Sequence, residues 1–402
     1  MMADPRDTVL DHGLLAEGTF EPGEAPAGIR RVPTGIDQLA TEHLIVNVGP
    51  QHPSTHGVLR LVAELDGEEI VNVEAVVGYL HRGIEKLGEH RRYHQLGTLM
   101  DRGDYVSGIH GELAAALAVE HLMEIDVPAK AQWLRCLMSE LNRVASHLVW
   151  YGTFGLDIGA MGQFLYAMRD REAILDILEA ITGQRMMFNY VRPGGVLDDL
   201  PSGAEEKIRS FLRTIDGYLD EHEALLGGNE IFLNRVRGIG VIDRATALSY
   251  GLTGANLRAS GVAYDVRRDR PYAAYDRLEF GIPVGATGDA HDRYLVRMEE
   301  MRQAVSMIRQ CADGMPEGDV TAKVPRVLRP PAGETYACVE SPRGELGVHL
   351  VSDGSDTPRR FHYRAPSLFA MQVLEEIMPG TLFADGMMLI GSVDIVLGEI
   401  DR

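Results

Sequence analysis

With 402 residues and 45% hydrophobic side chains, the chain has material for two or three packed units, which excludes disorder of the whole. Thirty-nine basic against 59 acidic residues leave a formal net charge of -20, which excludes a chain that grips nucleic acid through its own phosphate contacts. Cys136, Cys311 and Cys338 are odd in number and form no CxxC, so a disulfide framework is not expected, a reducing compartment is, and a four-cysteine iron–sulfur cluster is excluded.

Residues 1–40 are rich in Gly, Pro and acids, without a sustained period, and read as a mobile arm. No basic-then-apolar leader is present, and no run of ~18 uncharged apolar residues suggests a membrane span. Order is predicted from Thr41. Leu44 to Val48 reads as a strand, Val58 to Leu65 as a second, and Asp66-Gly67 as a turn into a third over Glu68 to Val77. Residues 41–80 are thus an antiparallel β unit.

Residues 81–315 read as a helical bundle. Helices are predicted over 109–125, 128–150, 160–182, 204–226 and 290–312. Leu134, Leu137, Met138, Leu141, Val144, Ala145 and Leu148 mark one apolar face, and Gly183 a stop. After Gly314, Pro316, Pro325, Pro330 and Pro331 mark a linker. Residues 347–352 and 360–364 alternate around Asp353-Gly354, which predicts a hairpin in a C-terminal α/β segment over 316–402. The fold class is α+β.

There is no GxGxxG after a strand, no GxxxxGK[ST], no HExxH and no GxSxG, so nucleotide binding, zincin proteolysis and α/β-hydrolase chemistry lose their usual signatures. The informative stretch is Gly49 to Gly57, GPQHPSTHG, between two strands. His52 and His56 stand four apart, but Pro50, Pro53 and Gly57 forbid a helix there. A metal would need loop geometry and further ligands, for which His81, His90 and His94 are available. On residue types alone, turn-capping and surface histidines are the commoner case. A rigid frame can also present such a loop to a ligand as a proton donor. Asp104-Tyr105 is a second candidate, with Tyr105 as an amphipathic core tyrosine the commoner case. Asp157, in GLDIG between two apolar helices, reads either as a helix cap or as a buried partner of a cation.

The string NVGPQHPSTHGVLRL (Asn47 to Leu61) resembles the D subunit of bacterial respiratory complex I, the 49 kDa subunit of mitochondria. The likeness continues in GYLHRGIEK, DRGDYVS, ELNRVASHL, ITGQRMMFNYVRPGGV, LRASGVAYDVRR, ESPRGELGVHLVSDG and the closing GEIDR, and covers residues 41–402. That family is homologous to the large subunit of nickel–iron hydrogenases, and a fold like it is implied. No thiolate stands at the hydrogenase ligand positions, which here read Arg102 to Ser107 and Asp394 to Glu399, so a metal site is not expected.

The resemblance implies that the emptied metal cavity takes a quinone headgroup as substrate. By position, His56 and Tyr105 are the hydrogen-bond and proton donors to the quinone oxygens, and Asp157 is the carboxylate paired with His56. His52, Ser54, Gly103, Asp104, Met187, Asp394 and Ile400 are implied around the same site. Arg102 and Arg192 are implied near an iron–sulfur cluster held by a small partner subunit, the B type; this chain alone holds no cofactor. A C-type peripheral subunit and the membrane-arm quinone-channel subunit, the H type, are the other implied partners, at the cytoplasmic face of the cell membrane. Three departures stand out. Met187 replaces a frequent His, which removes a titrating group from beside that cluster. Gly103 is smaller than usual, so a looser pocket wall is expected. Gly314 to Gly333 is short, as in a trimmed second copy of the subunit. Two other readings are a scaffold subunit with weak or no quinone chemistry, and a metalloenzyme built on the histidine loop.

Overall fold

The computed structural model describes residues 43–51 and 57–402. The arm expected over 1–40 lies outside the described residues, and so do His52, Ser54 and His56.

The chain is a mixed α+β protein, with antiparallel sheets before and after a helical middle. Strands β1 (Leu44–Val48), β2 (Arg60–Asp66) and β3 (Glu69–Val76) pair in that order, with Val48 opposite Leu61 and Asp66 opposite Glu69. The turn falls at Gly67, whose φ of 64° is the left-handed conformation that glycine tolerates. β2 alternates, burying Leu61, Ala63 and Leu65. The free edge of β3 is closed by a distant segment: Ile70 N–H donates to Thr381 O at 2.8 Å and Gly380 N–H donates to Ile70 O at 2.7 Å.

The long helices are Gly108–Met123, Ala129–Asp157, Met161–Thr182, Ala204–His222 and Ala290–Gly314. The second runs to Asp157, past the end predicted at 150. Its glycines mark close packing, not a break. A Cβ on Gly152 would lie 3.1 Å from the Phe164 ring, and one on Gly155 3.4 Å from Gln163 Cβ, so the next helix can return against this one. The helix predicted to 226 ends at His222 and continues as a π-helical turn over Glu223–Gly227.

The bundle interior is charged as well as apolar. Glu140 accepts from Arg143 at 3.0 Å, from Arg267 at 3.2 Å and from the Tyr275 hydroxyl at 2.6 Å. Arg258 lies between Glu300 and Glu340, and His147 Nε2 is 2.9 Å from Glu300. All of these side chains are fully or almost fully buried, and the acids and bases compensate one another.

The C-terminal part opens with β6 (Gly333–Ser341), β7 (Gly344–Ser352) and β8 (Arg360–Arg364), after β4 (Val191–Arg192) and β5 (Gly195–Val196) form a small hairpin earlier in the chain. Asp353-Gly354 lies between β7 and β8, at the predicted hairpin. Pro342-Arg343 joins β6 to β7, and helices Phe383–Val393 and Leu397–Asp401 follow the sheet.

Candidate functional site

Residues 101–107 link helix Gly97–Met100 to helix Gly108–Met123. Their backbone lies against the last helix. A Cβ on Gly398 would sit 2.5 Å from the Gly103 carbonyl oxygen and 3.0 Å from Tyr105 Cε1, so only a glycine lets helix Leu397–Asp401 rest there. Gly103 does not loosen the wall, contrary to the expectation from its size. A Cβ on it would lie 2.8 Å from the Tyr363 ring, which already fills that space. Gly57, the residue after the histidine loop, comes to the same place: its Cβ would lie 3.8 Å from Leu397 Cβ and 3.9 Å from the Tyr105 hydroxyl.

Asp104 and Asp394 converge on Arg343 at the β6–β7 turn. Arg343 Nη1 donates to Asp104 Oδ2 at 3.0 Å and to Ser146 Oγ at 2.6 Å, and its Nη2 donates to Asp394 Oδ1 at 3.3 Å. Asp394 takes a φ of 54° just past helix Phe383–Val393, and Arg297 Nε stands 3.9 Å from its other oxygen. Burial pushes the Asp104 carboxyl up while Arg343 pulls it down. Burial opposes the Arg343 charge, but the two aspartates more than restore it. Glu399 lies alongside, accepting from the Tyr363 hydroxyl at 3.2 Å and from Ser367 N–H at 2.9 Å; burial pushes it up to about 7. Burial first, and Asp104 second, raise the Tyr105 phenol above its ordinary value, so it stays protonated at neutral pH.

Asp157 is the last residue of helix Ala129–Asp157 and is half-buried. It does not cap the next helix, whose N-cap is Ala160 with no side-chain cap. Its carboxylate lies against Gly391, so closely that a Cβ there would overlap Oδ2. Trp150 Nε1 donates to Gly391 O at 2.9 Å and fixes the same approach. Tyr105 and Asp157 therefore abut one stretch, Gly391 to Gly398, at its two ends. Ile400 is buried in the apolar core.

A second group faces outward. Arg102 is exposed and donates to Asp101 at 2.7 Å and to Thr98 O at 2.8 Å; its ion pair is with Asp101, while Asp104 belongs to Arg343. Met187 is half-buried with a φ of 57°. Arg192 is exposed, its carbonyl held by Arg135 at 2.9 Å, and with His94 and Arg326 it rims a cavity of about 290 Å³ floored by Val196, Leu197 and Leu328. A larger cavity of about 700 Å³ lies between Glu120 and His121 on one side and Tyr272, Tyr336 and Cys338 on the other; no predicted site residue lines it. His81 binds the Asp401 carbonyl at 2.6 Å. Among the described residues the grouped potential ligands are Asp289, His291 and Asp292, and the two aspartates there are engaged at the start of helix Ala290–Gly314.

Sequence reasoning missed Arg343, Tyr363 and Glu399 around this candidate site. Arg343 sits in the quoted stretch ESPRGELG, and an arginine between Pro and Gly at a hairpin tip was its available signal.

The family model of the respiratory-chain NADH dehydrogenase 49 kDa subunit matches residues 157–330 and 323–402. The D subunit of NADH-quinone oxidoreductase from Carboxydothermus hydrogenoformans is 49% identical over 363 residues, which span 90% of this chain and 100% of that protein. The proteins of the same name from Bacillus mycoides and Bacillus anthracis are each 48% identical over 364 residues, with the same coverage. Alignments of that length leave no place for an additional helix in those relatives. Beside them residues 314–333 are of ordinary length, and the expectation of a trimmed copy does not hold.

Proposed function

The chain belongs to the family of the respiratory-chain NADH dehydrogenase 49 kDa subunit, and on that premise we propose that it is the quinone-site subunit of an NADH-quinone oxidoreductase. The observation that carries this reading is the place of Gly57, next in sequence to His56, where a Cβ would lie 3.9 Å from the Tyr105 hydroxyl and 3.8 Å from Leu397 Cβ. One donor is thereby tied to the loop that carries the other. Asp157 reaches the same Gly391 to Gly398 stretch and serves as the acceptor that orients His56.

Quinone reduction builds negative charge on two ring oxygens. Donors aimed at those oxygens stabilise it, and a phenol and an imidazolium can each surrender a proton as the quinol forms. Tyr105 suits this role because its raised pKa keeps the proton in place until a strongly basic oxygen arrives. The buried Asp104–Arg343–Asp394 triad holds the adjoining backbone and leaves a fixed field beside the phenol. His52, Ser54, Gly103, Asp104, Met187, Asp394 and Ile400 surround the headgroup in this reading, on a frame like that of the nickel–iron hydrogenase large subunit. Electrons arrive from an iron–sulfur cluster of a B-type partner, which faces Arg102, Met187 and Arg192. The C-type subunit and the H-type membrane subunit complete the neighbourhood at the cytoplasmic membrane face. No helix among the described residues is long and apolar enough to cross a membrane, as befits a peripheral subunit.

The test is Tyr105→Phe and His56→Ala in the assembled complex. Each is expected to lower quinone reduction by ~10²–10³-fold, the usual worth of a positioned donor, while electron transfer to an artificial acceptor upstream persists. Near-normal quinone rates in both variants would overturn the assignment.

A further inference from the structure

We propose that Glu112 is a positioning residue that registers the Met187–Arg192 segment against the Asp101–Tyr105 segment, and so holds the electron-donor face of the site in shape. That face is the one assigned under the proposed function, on which this inference rests.

Glu112 lies on helix Gly108–Met123 and is 1% exposed. Its Oε1 accepts from Asn189 N–H at 2.5 Å, and its Oε2 accepts from Tyr190 N–H at 2.8 Å and from Val191 N–H at 2.9 Å. Three successive amides turned to one point make an anion-binding concavity, and here the anion is supplied from within the chain. The segment does not hold this shape unaided. Met187 and Asn189 have φ of 57° and 48°, a region that costs non-glycine residues ~1 kcal/mol or more each. Without an acceptor, the amides of Tyr190 and Val191 would be buried and unsatisfied, and that of Asn189 half-buried.

The same carboxylate marks the junction with the other segment. A Cβ on Gly97 would lie 3.9 Å from both Glu112 Cγ and Val191 O. On the neighbouring turn, a Cβ on Gly111 would lie 2.5 Å from Met100 O, and one on Gly108 3.2 Å from Asp101 Cβ. Helix Gly97–Met100, which leads into Asp101, Arg102 and Tyr105, therefore rests directly on the turn that carries Glu112. Asp101 in turn holds Arg102. An amide at 112 could not substitute. Its NH₂ would face at least one of the backbone N–H groups, donor against donor, and only a group that accepts at both oxygens fits.

The experiment compares Glu112→Gln and Glu112→Asp with the parent in the intact complex. It reads amide hydrogen exchange over 187–192, the midpoint potential and paramagnetic spectrum of the terminal iron–sulfur cluster, and quinone turnover. Expected for Glu112→Gln are exchange at Asn189, Tyr190 and Val191 faster by about tenfold or more, a displaced cluster potential, and turnover down by ~10–100-fold, the usual cost of a misplaced neighbour. Glu112→Asp, which keeps the charge on a shorter arm, should recover part of each. Parental exchange in assembled Glu112→Gln overturns the proposal. So does faster exchange with an unmoved cluster potential, since the segment would then move without touching the donor face. If Glu112→Gln does not assemble, Glu112→Asp decides by the same readings, and failure of both to assemble makes the carboxylate structural only and also overturns the proposal. A displaced cluster potential together with normal turnover in Tyr105→Phe and His56→Ala would remove the quinone reading and leave this one standing.

Discussion

Arg343 is the residue on which two buried aspartates depend. Taking it away leaves Asp104 without a cation and Asp394 with Arg297 alone at 3.9 Å, and breaking one side of a buried ion pair costs ~3–5 kcal/mol. Arg343→Met is therefore expected to destabilise the chain by that order, read as a fall in the unfolding midpoint, whereas adding Asp104→Asn and Asp394→Asn should return most of the loss. A single variant within ~1 kcal/mol of the parent, or a triple variant no better than the single, would show the triad to be idle. The triad also marks where sequence reading stops. The family resemblance implies Asp104 and Asp394 as site residues, but Arg343 lies 239 positions from one and 51 from the other, and no local pattern joins them. His56, Tyr105 and Asp157 enter only by their positions in strings that resemble the family, since on residue types alone a turn histidine and a core tyrosine are the commoner cases and Asp157 stays open between a cap and a buried partner of a cation. What Glu112 does is not legible, because its partners are backbone amides some 77 to 79 residues away, which have no side-chain signature.

Elements carried by a single period or turn are legible, and those defined by close approach are not. Asp66-Gly67 and Asp353-Gly354 announce their hairpins because glycine is needed where φ turns positive. The Ala129–Asp157 helix reads seven residues short in the sequence, since Gly152 and Gly155 look like breakers until another helix is laid on them. Glycines of this kind give an element-scale prediction with two signs. In helix Leu397–Asp401, Gly398→Ala places a methyl group 2.5 Å from the Gly103 carbonyl oxygen and 3.0 Å from Cε1 of the half-buried Tyr105 ring, so backbone must shift. The expected outcome is a loss of ~1–3 kcal/mol and a fall in quinone turnover as the helix lifts from Tyr105. In helix Ala204–His222, Gly217 is exposed with nothing within 4 Å of its Cβ position, so Gly217→Ala should stabilise by ~0.5–1 kcal/mol and leave turnover alone. Thermal midpoints and rates measured on both variants settle the matter, and opposite signs are required.

At the scale of the whole molecule, the buried acids set how stability responds to pH. Burial pushes Glu340 and Glu399 up to about 7, and Asp101 to about 6. In each case the native state holds a proton that the unfolded chain has already released. Their contribution is complete below the ordinary carboxylate range and is lost as pH climbs through the raised values. Buried His147 and His110 act in the opposite sense. Burial lowers both, so their contribution is complete above an ordinary histidine's range and is lost as pH falls. Above about pH 7 the histidines are nearly spent, and the acids act together with Cys136, Cys311 and Cys338, whose thiols burial also raises, against a smaller opposing effect of Arg293, lowered to about 9. Stability should therefore decline from pH 7 to 9, by on the order of 2 kcal/mol, or several degrees in the unfolding midpoint. Self-repulsion in a chain of net charge -20 adds to the fall in the same direction, but it lies at the surface and is screened by salt, while the buried carboxyls are not. Repeating the series at ~0.5 M salt separates the two. A decline that survives added salt belongs to the buried groups, Glu340, Glu399 and the three thiols, a decline that vanishes belongs to the surface, and a midpoint that rises from pH 7 to 9 would mean these carboxyls are ionised in the native state.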